Sequence, residues 1–263
     1  MKRIYTSILL LISASIIAQN SRYFDAIYTI HYNTDVPQTR TGTLQIDIEN
    51  KHSIFHISKD QTEETATEDI QVTETGMVYT YSYKDIESFI GLKLNENRIY
   101  AKESHHGEIY YIDDKVPKIE WNIQYTDRKK TGSLTCKKAT THFRGRSYIA
   151  WYTEDIPLNY GPYKFHGLPG LITRIEDDTS RYVWTLTSYK KKNEKPVFTY
   201  KKNRQPVLSE KEFYSDIQYF IDPDRMRRVQ SKLPKGITLI SVTSNEHIRT
   251  GIEIAFEWEK EKQ

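Results

Sequence analysis

The sequence predicts a mainly β protein: a large antiparallel sheet, open barrel or sandwich carrying one amphipathic helix near residues 209–222. Three observations carry that expectation. Apolar and polar residues alternate with period two through most of the chain, many short runs of this kind follow one another, and one stretch switches to helical spacing.

The alternation is cleanest in three segments. In residues 42–49, Leu44, Ile46 and Ile48 share one face while Gln45, Asp47 and Glu49 share the other. In residues 76–83, Met77, Tyr79, Tyr81 and Tyr83 line one side. In residues 252–259, Ile252, Ile254, Phe256 and Trp258 oppose Glu253, Glu257 and Glu259. The same pattern places strands at residues 26–33, 53–58, 98–103, 108–113, 119–125, 134–142, 147–152, 171–177, 182–189, 197–201 and 237–243. The helix starts at a capping box, Ser209 followed by Glu212. Phe213, Ile217, Phe220 and Ile221 then fall on one helical face, which should lie over the sheet, and Pro223 ends the element. Polar residues 59–68 and 190–195 read as exposed connections, with Lys190, Lys191 and Lys192 as a solvated strand end. No Pro/Gly-rich linker divides residues 19–263, which are expected to form a single domain.

Composition narrows the function classes. With 263 residues, 20 Tyr, 9 Phe and 4 Trp, the chain can build a core without staples. Its 38 Lys and Arg nearly cancel 35 Asp and Glu, so bulk charge gives no footing for nucleic acid. At the N-terminus, Lys2 and Arg3 precede an apolar run over residues 4–17 and the small residue Ala18. This is the pattern of an export signal cleaved after residue 18. The run is too short, and too interrupted by Thr6, Ser7, Ser13 and Ser15, for a membrane anchor, and no later segment approaches spanning length. Export to the periplasm or cell surface places the lone Cys136 in an oxidising setting, where it is buried and inert, paired between molecules, or reactive. Its neighbours Leu134 and Ala139 favour burial.

Motifs for chemistry are missing. In a strand His52 and His56 stand about 13 Å apart, too far to share one ion, and His105 and His106 point to opposite faces. There is no HExxH, Cys cluster, acidic calcium loop, GxSxG elbow or phosphate-binding glycine loop. No metal, cofactor or catalytic residue is therefore expected. The competing expectation is a thiol-dependent or other hydrolase using Cys136 with His142 or His166.

Residues 134–176 differ from the rest in their density of aromatics and turn formers. Two strands there are joined by a long connection without a regular element, which must be packed or functional. Within it, Leu168, Pro169 and Gly170 suit a type II turn, with Pro169 presetting φ and Gly170 taking a positive φ. Gly161 and Pro162 make a second bend. Trp151, Tyr152, Tyr160, Tyr163, Phe165 and His166 then fold over the sheet as a cap or line the rim of a cavity. Arg144 and Arg146, flanking Gly145, are placed either to pair with an anionic group of a ligand or to anchor loop carbonyls or Asp155.

These residues carry a resemblance. Gly167 to Ile172 spell GLPGLI, and the sequence resembles the GLPGLI family of exported proteins found chiefly in Bacteroidetes. The likeness extends in order and spacing over Thr135 to Ala139, Phe143 to Arg146, Ala150 to Thr153, Ile156 and Pro157, Gly161 and Pro162, and Lys164 and Phe165. It makes Gly161, Pro162, Gly167, Leu168, Pro169, Gly170 and Cys136 motif residues. The resemblance implies a periplasmic or cell-surface protein without an assigned activity, working near TonB-dependent outer-membrane receptors. The sheet-plus-helix pattern also resembles LolA-like half-barrels, whose inner face takes an acyl chain. The expected function is thus a non-enzymatic binding or accessory module. Its partner is a lipid-like or other hydrophobic ligand, a TonB-dependent receptor or another envelope protein, contacted through Trp151, Tyr152, Tyr160, Tyr163, Phe165, Arg144 and Arg146.

Overall fold

The computed structural model describes residues 22–34, 37–58, 67–73, 76–82, 87–105, 108–196, 207–218 and 251–262. The export-signal segment 1–18, the strands expected at 197–201 and 237–243, and the helix beyond residue 218 lie outside the described residues.

Alternating segments become strands because a pleated chain sends successive side chains to opposite faces. The first half of the chain supplies β1 (Tyr23–Tyr32), β2 (Gln38–Asp47), β3 (His52–Ile57), β4 (Thr67–Thr73), β5 (Gly76–Ser82), β6 (Ser88–Lys93), β7 (Arg98–His105) and β8 (Glu108–Lys115). The second half supplies β9 (Arg128–Thr131), β10 (Leu134–Phe143), β11 (Arg146–Thr153), β12 (Leu171–Asp177), β13 (Tyr182–Lys192), β14 (Val207–Leu208) and a one-turn helix α1 (Glu210–Glu212). Among the described residues, twelve strands form one open sheet in the order β14-β8-β7-β6-β3-β2-β1-β13-β12-β11-β10-β9, and β4 and β5 pair separately. The sheet does not close into a barrel, since β14 and β9 are its edges. It is mixed rather than wholly antiparallel, because Val207 and Leu208 run parallel to Tyr111 and Ile112.

Inward rows build one core. Phe24, Ala26, Tyr28 and Ile30 of β1 join Leu44 and Ile46 of β2, Ile90 and Leu92 of β6, and Ile99 and Ala101 of β7 on the inner face. Tyr28 donates its hydroxyl hydrogen to the carbonyl of Ile172, 2.7 Å away on β12. A small outer cluster of Ile54, Phe89 and Tyr100 covers the other face of β3, β6 and β7. That two-sided burial explains why β6 escapes the alternation rule: a strand buried on both faces reads as an unbroken apolar run.

Three sequence expectations need correction. Residues 119–125 form no strand; Asn122 makes a single bridge to Thr140 at the edge of β10, and Trp121 turns to donate to the carbonyl of His166 at 2.8 Å. Residues 252–256 are also not a strand, and Glu257–Lys262 coil into a 3₁₀ helix. There the backbone N–H groups of Ile254 and Ala255 both donate to the carbonyl of Arg144 instead of joining a ladder. The capping box at Ser209 forms, with Ser209 N–H donating to the Glu212 carboxylate at 2.7 Å and Glu212 N–H to Ser209 Oγ at 3.2 Å. After one α turn the chain widens into a π-helix, Phe213–Gln218, so the described part of the helix does not keep the spacing expected of it. Phe213 and Tyr214 nonetheless bury in the core.

Candidate functional site

The β10–β11 hairpin turns on two residues, Arg144 and Gly145, with φ of 46° and 86°. Both values are positive, as a type I′ turn requires, and this matches the twist of the flanking strands. A Cβ on Gly145 would stand 2.6 Å from Ile254 Cγ1, so glycine also lets the C-terminal segment 251–259 lie against the turn. The turn thereby aims Arg144 inward.

The loop between β11 and β12, residues 154–170, folds back over the inner face. It closes through Gly167 N–H to Asn159 O at 3.0 Å, Leu171 N–H to Ile156 O at 3.0 Å and Ile172 N–H to Tyr160 O at 3.1 Å. Phe165 is fully buried and meets Tyr148 edge-on at 4.8 Å between ring centroids, and Tyr163 stacks on Trp184 at 6.1 Å. Burying a Phe of this kind contributes roughly 2–3 kcal/mol. The type II turn expected at Leu168 to Gly170 is not formed: the positive φ belongs to Gly167, at +94°, not to Gly170. Gly170 is needed because a Cβ there would sit 2.0 Å from the Thr153 carbonyl oxygen.

Under this loop lies a buried ion network. Arg144 donates to Glu210 and to Glu253, the latter at 2.8 Å, and reaches Glu257 at 3.2 Å. Lys164 donates to Glu210 at 2.6 Å, to Glu253 at 2.9 Å and to Tyr214 Oη at 2.9 Å. The side chains of Arg144, Lys164, Glu210 and Glu253 are all at most 3% exposed. Burial opposes ionisation of Glu210, yet Lys164 and Arg144 outweigh it and hold the carboxyl below its ordinary range. Burial likewise opposes the charge on Arg144, and Glu253 and Glu210 overcome it and raise its proton affinity. Arg146 donates to the carbonyls of Gly251 and Ile252 at 2.7 and 3.1 Å and to Asp177 at 3.2 Å. Both arginines therefore anchor the covering layer. Asp155 instead accepts from Thr135 N–H at 2.9 Å.

Beside the network, a cleft of about 320 Å³ opens between the inner face and the covering layer. Its floor follows from strand register. Ile57 pairs with Ser88, and Phe89 pairs with Lys102, so Ser88 stands opposite Glu103, which in turn faces Tyr110. Glu103 continues the inward row Ile99, Ala101 on β7. Arg40 extends the inward row of β2. Tyr163 of the loop, Phe213 and Tyr214 of the helix, and Ile252 and Glu253 of the C-terminal segment form the roof. Burial pushes the Glu103 carboxyl up to about 7; Lys164 pulls it down, and Glu253 and Glu210 push it further up. Burial raises the phenols of Tyr163 and Tyr214 well above their ordinary value, so both remain hydrogen-bond donors at neutral pH.

Of the residues expected to contact a ligand or partner, Tyr163 alone lines this cleft. Tyr152, Tyr160 and Phe165 are buried in the core and Trp151 is half-buried with Lys129 Nζ 5.6 Å from its ring. Glu103, Glu210, Glu253 and Lys164 escaped sequence reasoning. A signal for Glu103 existed, since the alternation of β7 places it on the inner face; nothing local marks Glu253. A second cleft, of about 520 Å³, lies on the outer face around His52 and Tyr100. Its groups satisfy one another: His52 Nε2 and Tyr100 Oη are 2.5 Å apart, Lys93 pairs with Glu96 at 3.1 Å, and Arg98 with Asp113.

Cys136 is fully buried on β10. Its Sγ lies 3.2 Å from Thr173 Oγ1, which sits where the β11–β12 register shifts, while His142 is exposed on the same strand. A thiol-specific label should therefore leave the native protein unmodified and react after denaturation; rapid labelling of the folded chain would contradict this burial. Among the described residues no group of three or more His, Cys, Asp or Glu is placed to hold a metal.

Fold and site together define an open, mostly antiparallel sheet whose inner face is covered by a long loop, with a polar cleft beside it. A family described as "Protein of unknown function (Porph_ging)" matches residues 144–174, from the hairpin arginine to β12. No curated protein matches the sequence. Among solved structures, PNGF-II in a P21 crystal form is similar at 14% identity and a TM-score of 0.49, over 75% of this chain and 33% of that one. The C2 form gives 14% and 0.45, over 72% and 31%. An uncharacterized conserved protein from Thermus thermophilus is similar at 9% identity and 0.41, over 73% of this chain and 93% of that one. The chain spans about a third of the PNGF-II chains it matches. Likenesses this distant assign no function.

Proposed function

We propose that the protein is an exported, non-enzymatic binding module of the GLPGLI type, and that its recognition site is the cleft between Glu103, Ser88 and Arg40 below and Tyr163, Tyr214 and Glu253 above. One observation carries the reading. Glu103 faces inward with no hydrogen-bond or ion-pair partner among the described residues, whereas Glu210 and Glu253 beside it each pair with Arg144 and Lys164. Glu103 is half-buried at the cleft wall, so its partners come from water or from an incoming group that displaces it. The volume of about 320 Å³ suits a small molecule or a single protruding side chain. Phe165 and Leu168 occupy the inner face that an acyl chain would need, which favours a compact ligand with polar groups. The resemblance of residues 134–176 supports action in the cell envelope, beside a TonB-dependent receptor or another outer-membrane protein.

Ser88→Trp tests the site, because an indole there would fill the cleft from its floor. Protein recovered from its own envelope and examined by native mass spectrometry should carry a ligand in the wild type and lose it in Ser88→Trp, at equal melting midpoints. Identical bound species in both proteins, or none in either, would sink the proposal.

A further inference from the structure

We propose that the cleft takes a small organic cation, a molecule with a primary or quaternary ammonium group held by Glu103 against the rings of Tyr163 and Tyr214. This rests on the binding site proposed above and names its ligand class. The first ground is the balance of charge. In the network beneath the loop, Arg144 and Lys164 are the buried cations, and Glu210 and Glu253 already answer them, with Glu257 adding a third carboxylate at the rim. Glu103 is a further acidic group with no cation paired to it among the described residues. Arg40, the other cation at the cleft, donates to Gln38 at 3.3 Å and lies 5.9 Å from the Tyr32 ring centroid.

The second ground is the wall. Tyr32, Tyr163, Phe213 and Tyr214 present aromatic rings to the cleft, and ring faces attract cations. Lys164 shows the chemistry at work, its Nζ lying 5.3 Å from the Tyr163 ring centroid and 4.8 Å from that of Tyr214. Trp184 stacks on Tyr163 and Phe256 on Tyr214, so a second ammonium on the cleft side would pack its methylene or methyl groups against the rims of these rings and find its counter-ion in Glu103.

Proton linkage follows. The charged groups facing Glu103 are Lys164 of the loop, Arg40 of β2, Glu253 of the C-terminal segment and Glu210 of α1, while Tyr110, Tyr163 and Tyr214 face it as phenols. Burial keeps the Glu103 carboxyl largely protonated below neutrality, its midpoint lying at about 7. Only the ionised form pairs with a cation, so affinity should rise with pH through that midpoint.

Calorimetric titration of the mature chain with choline and with ethanolamine tests this. At least one probe should bind saturably at about pH 8 and about tenfold more weakly at about pH 6, following the ionised fraction of Glu103. Glu103→Gln should abolish binding without lowering the melting midpoint, Ser88→Trp should abolish it by filling the site, and the uncharged carbon isostere of choline should not bind. The inference is overturned if neither probe binds at the higher pH, if the isostere binds as well as choline, or if Glu103→Gln binds undiminished. If Ser88→Trp sheds the native ligand while no ammonium probe binds, the ligand class falls and the site stands.

Discussion

Gly170→Ala is expected to destabilise the protein by about 3 kcal/mol or more, lowering the melting midpoint by roughly 6–12 °C for a chain of this size. The added Cβ would lie 2.0 Å from the Thr153 carbonyl oxygen, 2.5 Å from its carbon and 3.0 Å from Glu154 N. All three are backbone atoms, so no side chain can swing aside. Relief requires the loop to lift away from the end of β11, which breaks the pairing of Leu171 with Thr153 and strains Leu171 N–H to Ile156 O. Gly167→Ala provides the comparison. Gly167 has a φ of +94°, with nothing nearer to its would-be Cβ than Trp121 at 3.8 Å, so its cost is conformational and about 1 kcal/mol. Chemical denaturation of the two variants should rank Gly170→Ala as clearly the more damaging; the reverse order would mean that φ rather than close approach governs the motif.

Arg144→Met should cost about 3–5 kcal/mol, because it strands the buried carboxylates of the network with Lys164 as their one remaining cation among the described residues. Glu210→Gln should also be severe at neutral pH. Its pH signature separates an ionic cause from a packing one. The Glu210 carboxyl is held below its usual range in the folded protein, so its contribution is present above the unfolded value and is lost as pH falls through the folded one. Wild type should therefore lose stability on acidification more steeply than Glu210→Gln. Parallel slopes for the two proteins would remove Glu210 from the account. The combined variant should show a coupling of roughly 0.5–3 kcal/mol in a double-mutant cycle, as expected for side chains in contact.

Much of the sheet was legible because a strand with one buried face repeats every two residues. β10, β11, β12 and β13 fall where the alternation puts them, and the residues between the last two sit in a short turn. Four of the observed strands were missed, β4, β6, β9 and β14; of these, β6 is buried on both sides, β9 is four largely exposed residues at an edge, and β14 is only two residues long. The C-terminal segment misled for the opposite reason. Its alternation is real, yet Glu253, on the face assigned to solvent, is 2% exposed and Ile254 is only half-buried. The loop was legible as a packed or functional segment, whereas which of its side chains turned to the core and which to the cleft was not.

Local chemistry decided what a few neighbouring residues can settle among themselves. Examples are the inner and outer rows of the strands, the capping box of Ser209 and Glu212, and the turn at Arg144 and Gly145, where glycine accepts a positive φ. Tertiary structure decided where the charges went. Glu210 lies 46 residues from Lys164 and 66 from Arg144, and Glu253 lies 109 from Arg144. Alternation registers the cost of transferring each side chain from water singly, and by that measure all four belong outside. A charge is tolerated inside when a partner arrives from elsewhere in the chain, and that meeting exists only once the loop, the helix and the C-terminal segment have closed over the sheet.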